Sequence, residues 1–435
     1  MHRISQNFRL EHPQRFKRAL MYWGHRFDHS VWLDSNGHID AYSNFEATLA
    51  VAEQTGRSQL TFHSLDEVQD FLDKEQDWLF GFISYDVKNQ LEPLVSENPD
   101  HVGFPLMDFF VPDKIIQLKG DEVTFLYRKE LKDKIQADFD FLQTFLFQEA
   151  SSFSSEIPRI RMRIHKEAYF RKVSSLLKHI HKGDIYEANF CQEFYAENTS
   201  LNPVQTFERL NAISKAPFST LLRWKEKHLL CSSPERYLKR VGSTILSQPI
   251  KGTAPRGSNV SEDKAIAKAL KEDPKERSEN IMITDLVRND LSKGALKGSV
   301  SVAELCEVYS FEQVHQMIST VKAKVDEHKK STDLIRDTFP MGSMTGAPKI
   351  SAMKLIEQHE VTKRGLYSGT VGYFAPNGDF DFNVVIRSIL YNSETQYVSF
   401  SVGSAITAKS NPEKEYQECL LKAKAMRKVL ESKNP

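Results

Sequence analysis

Apolar and polar positions along the 435-residue chain follow two periods. Residues 131–148 read as an amphipathic helix, and a second helix runs from Lys166 to Lys182, where Gly183 and Asp184 stop it. The continuous apolar run from Trp78 to Tyr85 reads instead as a buried strand. Further strands are expected around 217–223, 228–232 and 244–248. A hairpin is expected where 367–374 and 381–388 flank a Pro-Asn-Gly-Asp turn. A small, polar stretch at 149–155 has the composition of a linker, dividing the chain into 1–150 and 160–432. Helices and strands do not alternate as βαβ units would, so the expected class is α+β.

Two helix starts carry an unusual charge pattern. Asp273, Pro274 and Glu276 supply a cap, a first-turn proline and a capping-box acid, and Glu276 and Glu279 share a face three residues apart. Asn411, Pro412 and Glu413 open the second helix, which carries Glu415 and Glu418 at the same spacing. Either pair alone fits a solvated helix start, where acids favour the helix dipole. If the two helices face each other, four carboxylates converge and need a cation, for which hard oxygen ligands suit Mg²⁺.

Composition narrows the picture. With 58 basic and 58 acidic residues there is no bulk field for nucleic acid or an anionic membrane, so an anionic substrate needs a local cluster or a metal. The four cysteines form no CxxC pair, which argues against zinc or a disulfide framework. No apolar run approaches the roughly 18 residues of a membrane span, and no signal peptide is evident, so the cytoplasm is the expected compartment.

Single residues then stand out. Lys251, in a Pro-Ile-Lys-Gly-Thr turn just past a strand, would become a nucleophile if burial beside other cations lowered its pKa. By itself it reads as a solvated surface lysine, because lysine is rarely buried. Glu235 follows Pro234 at the end of an apolar strand and would act as a general acid in a low-dielectric site, or lie exposed in the turn. The turn from Pro340 to Lys349 is not a P-loop, because no Ser or Thr follows the lysine, but its helix start can still hold a carboxylate. Arg387 closes an apolar strand, where its planar fork suits an anionic partner. Gly403 and its small neighbours would let backbone amides approach a ligand.

Taken together, these segments resemble the chorismate-utilising enzymes, which include anthranilate, aminodeoxychorismate, isochorismate and salicylate synthases. The resemblance covers about residues 160–430. It rests on Gly183 to Phe190, Ser233-Pro234-Glu235, Pro249 to Thr253, the acidic helix ending at Asp290, Thr345 to Lys349, and Pro412 to Glu418. Gly81 to Asp86 resembles the family's leading subdomain more faintly. The resemblance implies an anthranilate synthase component I-like fold of antiparallel sheets flanked by helices.

It also implies roles. Lysine at 251, where anthranilate synthases usually have alanine, is characteristic of the branch that makes 4-amino-4-deoxychorismate for folate. There the lysine is proposed to attack C2 of chorismate as the C4 hydroxyl leaves, before ammonia enters at C4. Glu235 matches the general acid; Glu279 and Glu418, with Glu276 and Glu415 nearby, match the Mg²⁺ ligands. Tyr373 and Arg387 match groups that hold a substrate carboxylate, aided by Ser343 and by the backbone around Gly403 and Ser404. Ammonia would come from a separate glutamine amidotransferase, for which no cysteine motif occurs in this chain. Glu187 departs from the Gln or Lys of other members, and Ser343 from the usual Thr. His315-Gln316 departs where several members place a histidine, and Gly403-Ser404-Ala405 from Gly-Ala-Gly. The alternatives are an anthranilate synthase component I and a non-catalytic chorismate-binding homologue.

Overall fold

The computed structural model describes residues 3–38, 42–43, 45–53, 62–147 and 157–432. The polar stretch at 149–155 lies outside them. Among the described residues two antiparallel sheets carry the fold, one of twelve strands and one of nine. Strand alternation sets the layering. Along Phe218–Trp224 and Lys227–Ser233, Leu222 and Leu229 face the core between the sheets, whereas Leu221 and Leu230 face helices on the far side. His29–Asp34 does the same with Val31 and Trp32. The helical layer on that outer face includes Lys166–Lys182, Pro203–Ser214, Lys349–His359 and Pro412–Glu431. Burying both faces of a strand makes its apolar run nearly continuous, which explains the weak alternation in sequence.

Several expected elements match closely. The helix Lys166–Lys182 ends at Gly183, whose φ of 88° is the left-handed cap that glycine adopts most easily. The strand at 78–85 is observed as Leu79–Ile83, and the helix at 131–148 as the shorter Lys134–Gln143. The α+β class and antiparallel sheets are as expected. The division near residue 150 does not partition the sheets, however. Arg3–Arg9 and Glu122–Arg128 belong to the same sheet as Glu187–Ala196, and Leu79–Ile83 pairs directly with Thr370–Phe374. No helix among the described residues is long and apolar enough to cross a membrane.

Two of the chain's crossings between the sheets lie side by side. Pro234 and Glu235 link Lys227–Ser233 of the large sheet to Arg236–Val241 of the small one. Residues 384–387 return from Phe380–Asn383 to Ser388–Asn392. The crossings are tied together: Val384 N–H donates to Glu235 O at 3.0 Å, and Ser232 N–H to Arg387 O at 3.2 Å. Polar side chains gather where this irregular backbone opens the packing.

Candidate active site

Lys251 reaches the site by a bulge. Its strand Ile250–Pro255 slips register between Ile250 and Thr253 against Val314–Lys324, and Gly252 takes a φ of 95°. A bulge re-aims a side chain in this way. The Lys251 ammonium lies 3.4 Å from Glu187 Oε1, whose side chain is 1% exposed. Burial alone would lower the lysine's pKa. The carboxylates of Glu187, Glu279 and Glu235 outweigh it and hold the pKa above its ordinary value. The expected neighbourhood of cations is therefore replaced by one of anions, and Lys251 rests as an ammonium.

Glu235 is buried at the first crossing rather than exposed in a turn. Burial lifts its pKa to about 7, against the opposing pull of the Ser343 hydroxyl and the Lys251 charge. It is a carboxyl able to hold a proton near neutrality. Ser343 sits in the short 3₁₀ turn Gly342–Met344. That turn is pinned by Lys349, which donates to the carbonyls of Thr338 (3.0 Å) and Pro340 (2.8 Å) and pairs with Asp290. Arg364 pins it from the other side through Met344 O at 2.6 Å and also donates to Asn189 O at 2.7 Å.

The two acidic helices do face each other. Asp273 accepts from the N–H groups of Lys275 and Glu276 to start Pro274–Gly294, and Asn411 does the same for Glu413 and Lys414 at the head of Pro412–Glu431. The capping box is only half formed: Asp273 N–H donates to Leu270 O, and Glu276 turns towards Gly252. Lys275 shows the convergence. Burial would lower its pKa, but Glu279, Glu276, Glu415 and Glu418 together raise it. Burial also pushes Glu279 up to about 7, despite the Lys251 and Lys275 charges, and raises Glu276. Glu418 moves the other way, because Lys422 at 2.6 Å overcomes burial. As they stand, no three acid, histidine or cysteine side chains among the described residues are grouped to hold a metal ion.

Residues 21–428 match the sequence pattern of the chorismate binding enzymes. The chain belongs to that family. Aminodeoxychorismate synthase component 1 of Escherichia coli is 32% identical over 444 residues, covering 95% of this chain and 96% of that protein. A probable chloroplastic aminodeoxychorismate synthase of Oryza sativa is 40% identical over 286 residues, 64% of this chain. The matched region is only 32% of the rice protein's length. The crystal structure of anthranilate synthase component I from Streptococcus pneumoniae superposes with a TM-score of 0.75 at 24% identity, over 92% of this chain and 90% of that one.

Within this family framework, three expected ligand-binding residues fall elsewhere. Tyr373 packs against Phe45, Trp78 and Phe80 and lines a separate cavity with Asp34, Phe218 and Asn383. The tyrosine within electrostatic reach of Arg387 is Tyr367, six residues earlier. The sequence reads both as one strand, but Tyr367 lies in the turn before Thr370–Phe374, where Ser368 takes a φ of 62°. Ser404 is fully buried and donates its hydroxyl to Glu415, so it orders a helix carboxylate instead of facing open space. Gly403 sits mid-ladder opposite Cys191, where a Cβ would lie 2.7 Å from the Asn189 and Cys191 side chains. Its missing side chain makes room for those groups, and its carbonyl accepts from Lys422 at 2.9 Å.

Arg387 keeps its expected character. It holds a left-handed φ of 52°, and its guanidinium makes no hydrogen bond or ion pair among the described residues. Burial lowers its pKa, opposed by Tyr367 and Glu418, so an anion would find it underpaired. His315 is held between Ser310 (2.8 Å) and Asp263 (2.9 Å), away from this cluster's acids. The residues the sequence left out or unassigned are Glu187, Tyr367, Lys275 and Lys422. Only Glu187 had a signal, its departure from the family pattern.

Proposed function

We propose that the chain is an aminodeoxychorismate synthase component I, forming 4-amino-4-deoxychorismate from chorismate and ammonia supplied by a glutaminase subunit. The observation that carries this is the juxtaposition of Lys251 with a buried, proton-holding Glu235, with an underpaired Arg387 that shares Glu418 as an electrostatic neighbour with Lys251. The relatives named above as aminodeoxychorismate synthases support the choice within the family, and "component 1" in the Escherichia coli name supports a partner subunit.

In this reading Arg387 and Tyr367 hold a substrate carboxylate bidentately. Lys251 first gives a proton to Glu187 Oε1, its contact at 3.4 Å. Its amine then bonds to ring carbon C2 as the C4–O bond breaks, and the Glu235 proton goes to the departing oxygen, which leaves as water. Ammonia next bonds at C4 while the C2–N bond breaks, and that electron pair returns to Lys251. Oxygen donors from Glu279 and Glu418, with Glu276 and Glu415 around them, fit Mg²⁺ in chemistry. The Lys275 ammonium already marks where positive charge is welcome. When bound, the metal would supply Lewis-acid polarisation of the ring carboxylate.

Product analysis tests the reading: purified chain, chorismate, Mg²⁺ and an ammonium salt at alkaline pH, with and without EDTA. The expected product is one that an aminodeoxychorismate lyase converts to 4-aminobenzoate, formed only in the metal arm. Fluorescent anthranilate would overturn the assignment, and undiminished turnover in EDTA would remove the metal.

A further inference from the structure

The bulge that delivers Lys251 has a counterpart on the other edge of the strand it pairs with. Between the pairs Ile250–Ile318 and Thr253–Gln316, Lys251 and Gly252 stand opposite the single residue Met317. Between Glu304–Thr320 and Glu307–Ile318, Leu305 and Cys306 stand opposite Ser319, and Cys306 takes a φ of 55°. A bulge interrupts the ladder locally, so the two together loosen both edges of Val314–Lys324 at its middle. The Lys251 side chain cannot hold the loop in place, because its one contact is 3.4 Å long.

One side chain closes both gaps. Asn280 is 1% exposed and follows Glu279 on the acidic helix Pro274–Gly294. Its Nδ2 donates to Lys251 O at 3.3 Å and to Met317 O at 3.1 Å, carbonyls on the two sides of the first bulge. At the second, its Oδ1 accepts from the Ser319 hydroxyl and from Cys306 Sγ at 3.6 Å. Ser319 Oγ in turn accepts from Cys306 N–H at 3.0 Å. An amide offers two N–H donors and a carbonyl acceptor, and here all of them are used inside the fold. Nothing of Asn280 is left for a reactant, so any part it plays passes through what it holds. Glu279, one residue earlier, is among the carboxylates that face the Lys251 ammonium. We propose that Asn280 is the positioning residue for Lys251: it braces the bulge from the acidic helix and fixes where the amine stands relative to Glu279 and Glu187. What the amine does from there rests on the amination proposed above.

Kinetics and structure of the full-length variants test the brace. Asn280→Asp keeps the shape of the side chain and removes both donors. Its kcat for amination is expected to fall about 10²-fold, as for a small misplacement of a reacting group, with the KM for chorismate little changed. Its crystal structure should show the Lys251 ammonium out of hydrogen-bond reach of Glu187. Ser319→Ala leaves Asn280 in place but frees its amide to turn. It should give the same pattern at about ten-fold, as for loss of one hydrogen bond, and it decides the matter if Asn280→Asp does not fold. The brace would be overturned by a Lys251 that keeps its place, or by a KM for chorismate that rises as far as kcat falls. The same further fold loss on adding Asn280→Asp to Lys251→Ala would also overturn it, because the effect would then not pass through Lys251. A wild type that aminates nothing overturns the amination reading alone, and the place of Lys251 in the two variants still decides the brace.

Discussion

Lys251 and Lys349 are both mostly enclosed, with side chains 15% and 11% exposed, and each has a carboxylate at hand, yet they differ in almost everything else. Lys349 uses its ammonium on Asp290 and two carbonyls; burial lowers its pKa and Asp290 only partly restores it. Lys251 makes one long contact, at 3.4 Å, and three carboxylates hold its pKa up. A lysine whose donors are all satisfied is a fastener, and Lys349 fastens the turn that brings Ser343 to Glu235. A lysine that is charged, enclosed and underpaired is held ready for something else. Burial alone does not separate the two; saturation does.

Replacing each lysine should therefore damage different properties. Lys251→Ala is expected to cut formation of the aminated product by roughly 10³-fold or more, as for loss of a nucleophile. Lys349→Met should leave buried Asp290 with Lys293, at 3.2 Å, as its remaining cation and two carbonyls without their donor, and lower unfolding stability by about 1–3 kcal/mol. Urea titration of both variants beside the wild type checks the contrast. A greater stability loss for Lys251→Ala than for Lys349→Met would break it.

Glu235 sharpens the same contrast from the acid side. Its pKa stands near 7 in the folded protein, mainly through burial, against an ordinary 4.5. Between those values the unfolded chain releases this proton while the folded chain keeps it, so its contribution to stability falls as pH rises. Glu235→Gln does not titrate. The variant should gain on the wild type by up to about 3 kcal/mol between roughly pH 5 and pH 8, while losing turnover. Urea midpoints at the two pH values give the answer, and an equal difference at both would mean that Glu235 is not held protonated by the fold.

What was legible in the sequence follows from locality. Caps at Asp273 and Asn411, the stop at Gly183 and the strands at 218–224 and 227–233 are set by neighbours a few residues apart, and they match. The acidic pairs were visible because helical spacing puts i and i+3 on one face. The partners of Lys251 were not, because Glu187 is 64 residues away and reaches it only through sheet pairing and a bulge. The wrong tyrosine was chosen at 373 for a similar reason. The sequence reads 367–374 as one strand, whereas the strand begins at Thr370 and Tyr367 lies in the turn before it, within electrostatic reach of Arg387.

Ser404 carries the smallest and most discriminating prediction. A hydroxyl beside a glycine at a strand end invites a substrate-binding role, but here it is fully buried and spent on Glu415. Ser404→Ala would leave that buried carboxylate one donor short, at a cost of about 1–3 kcal/mol. The expected result is a lower urea midpoint with the KM for chorismate unchanged, because Arg387 and Tyr367 still hold the substrate. A ten-fold rise in that KM at wild-type stability would return Ser404 to the substrate. It would also mean that the bond to Glu415 breaks when chorismate binds, and that the helix acids are less fixed than their convergence on Lys275 implies.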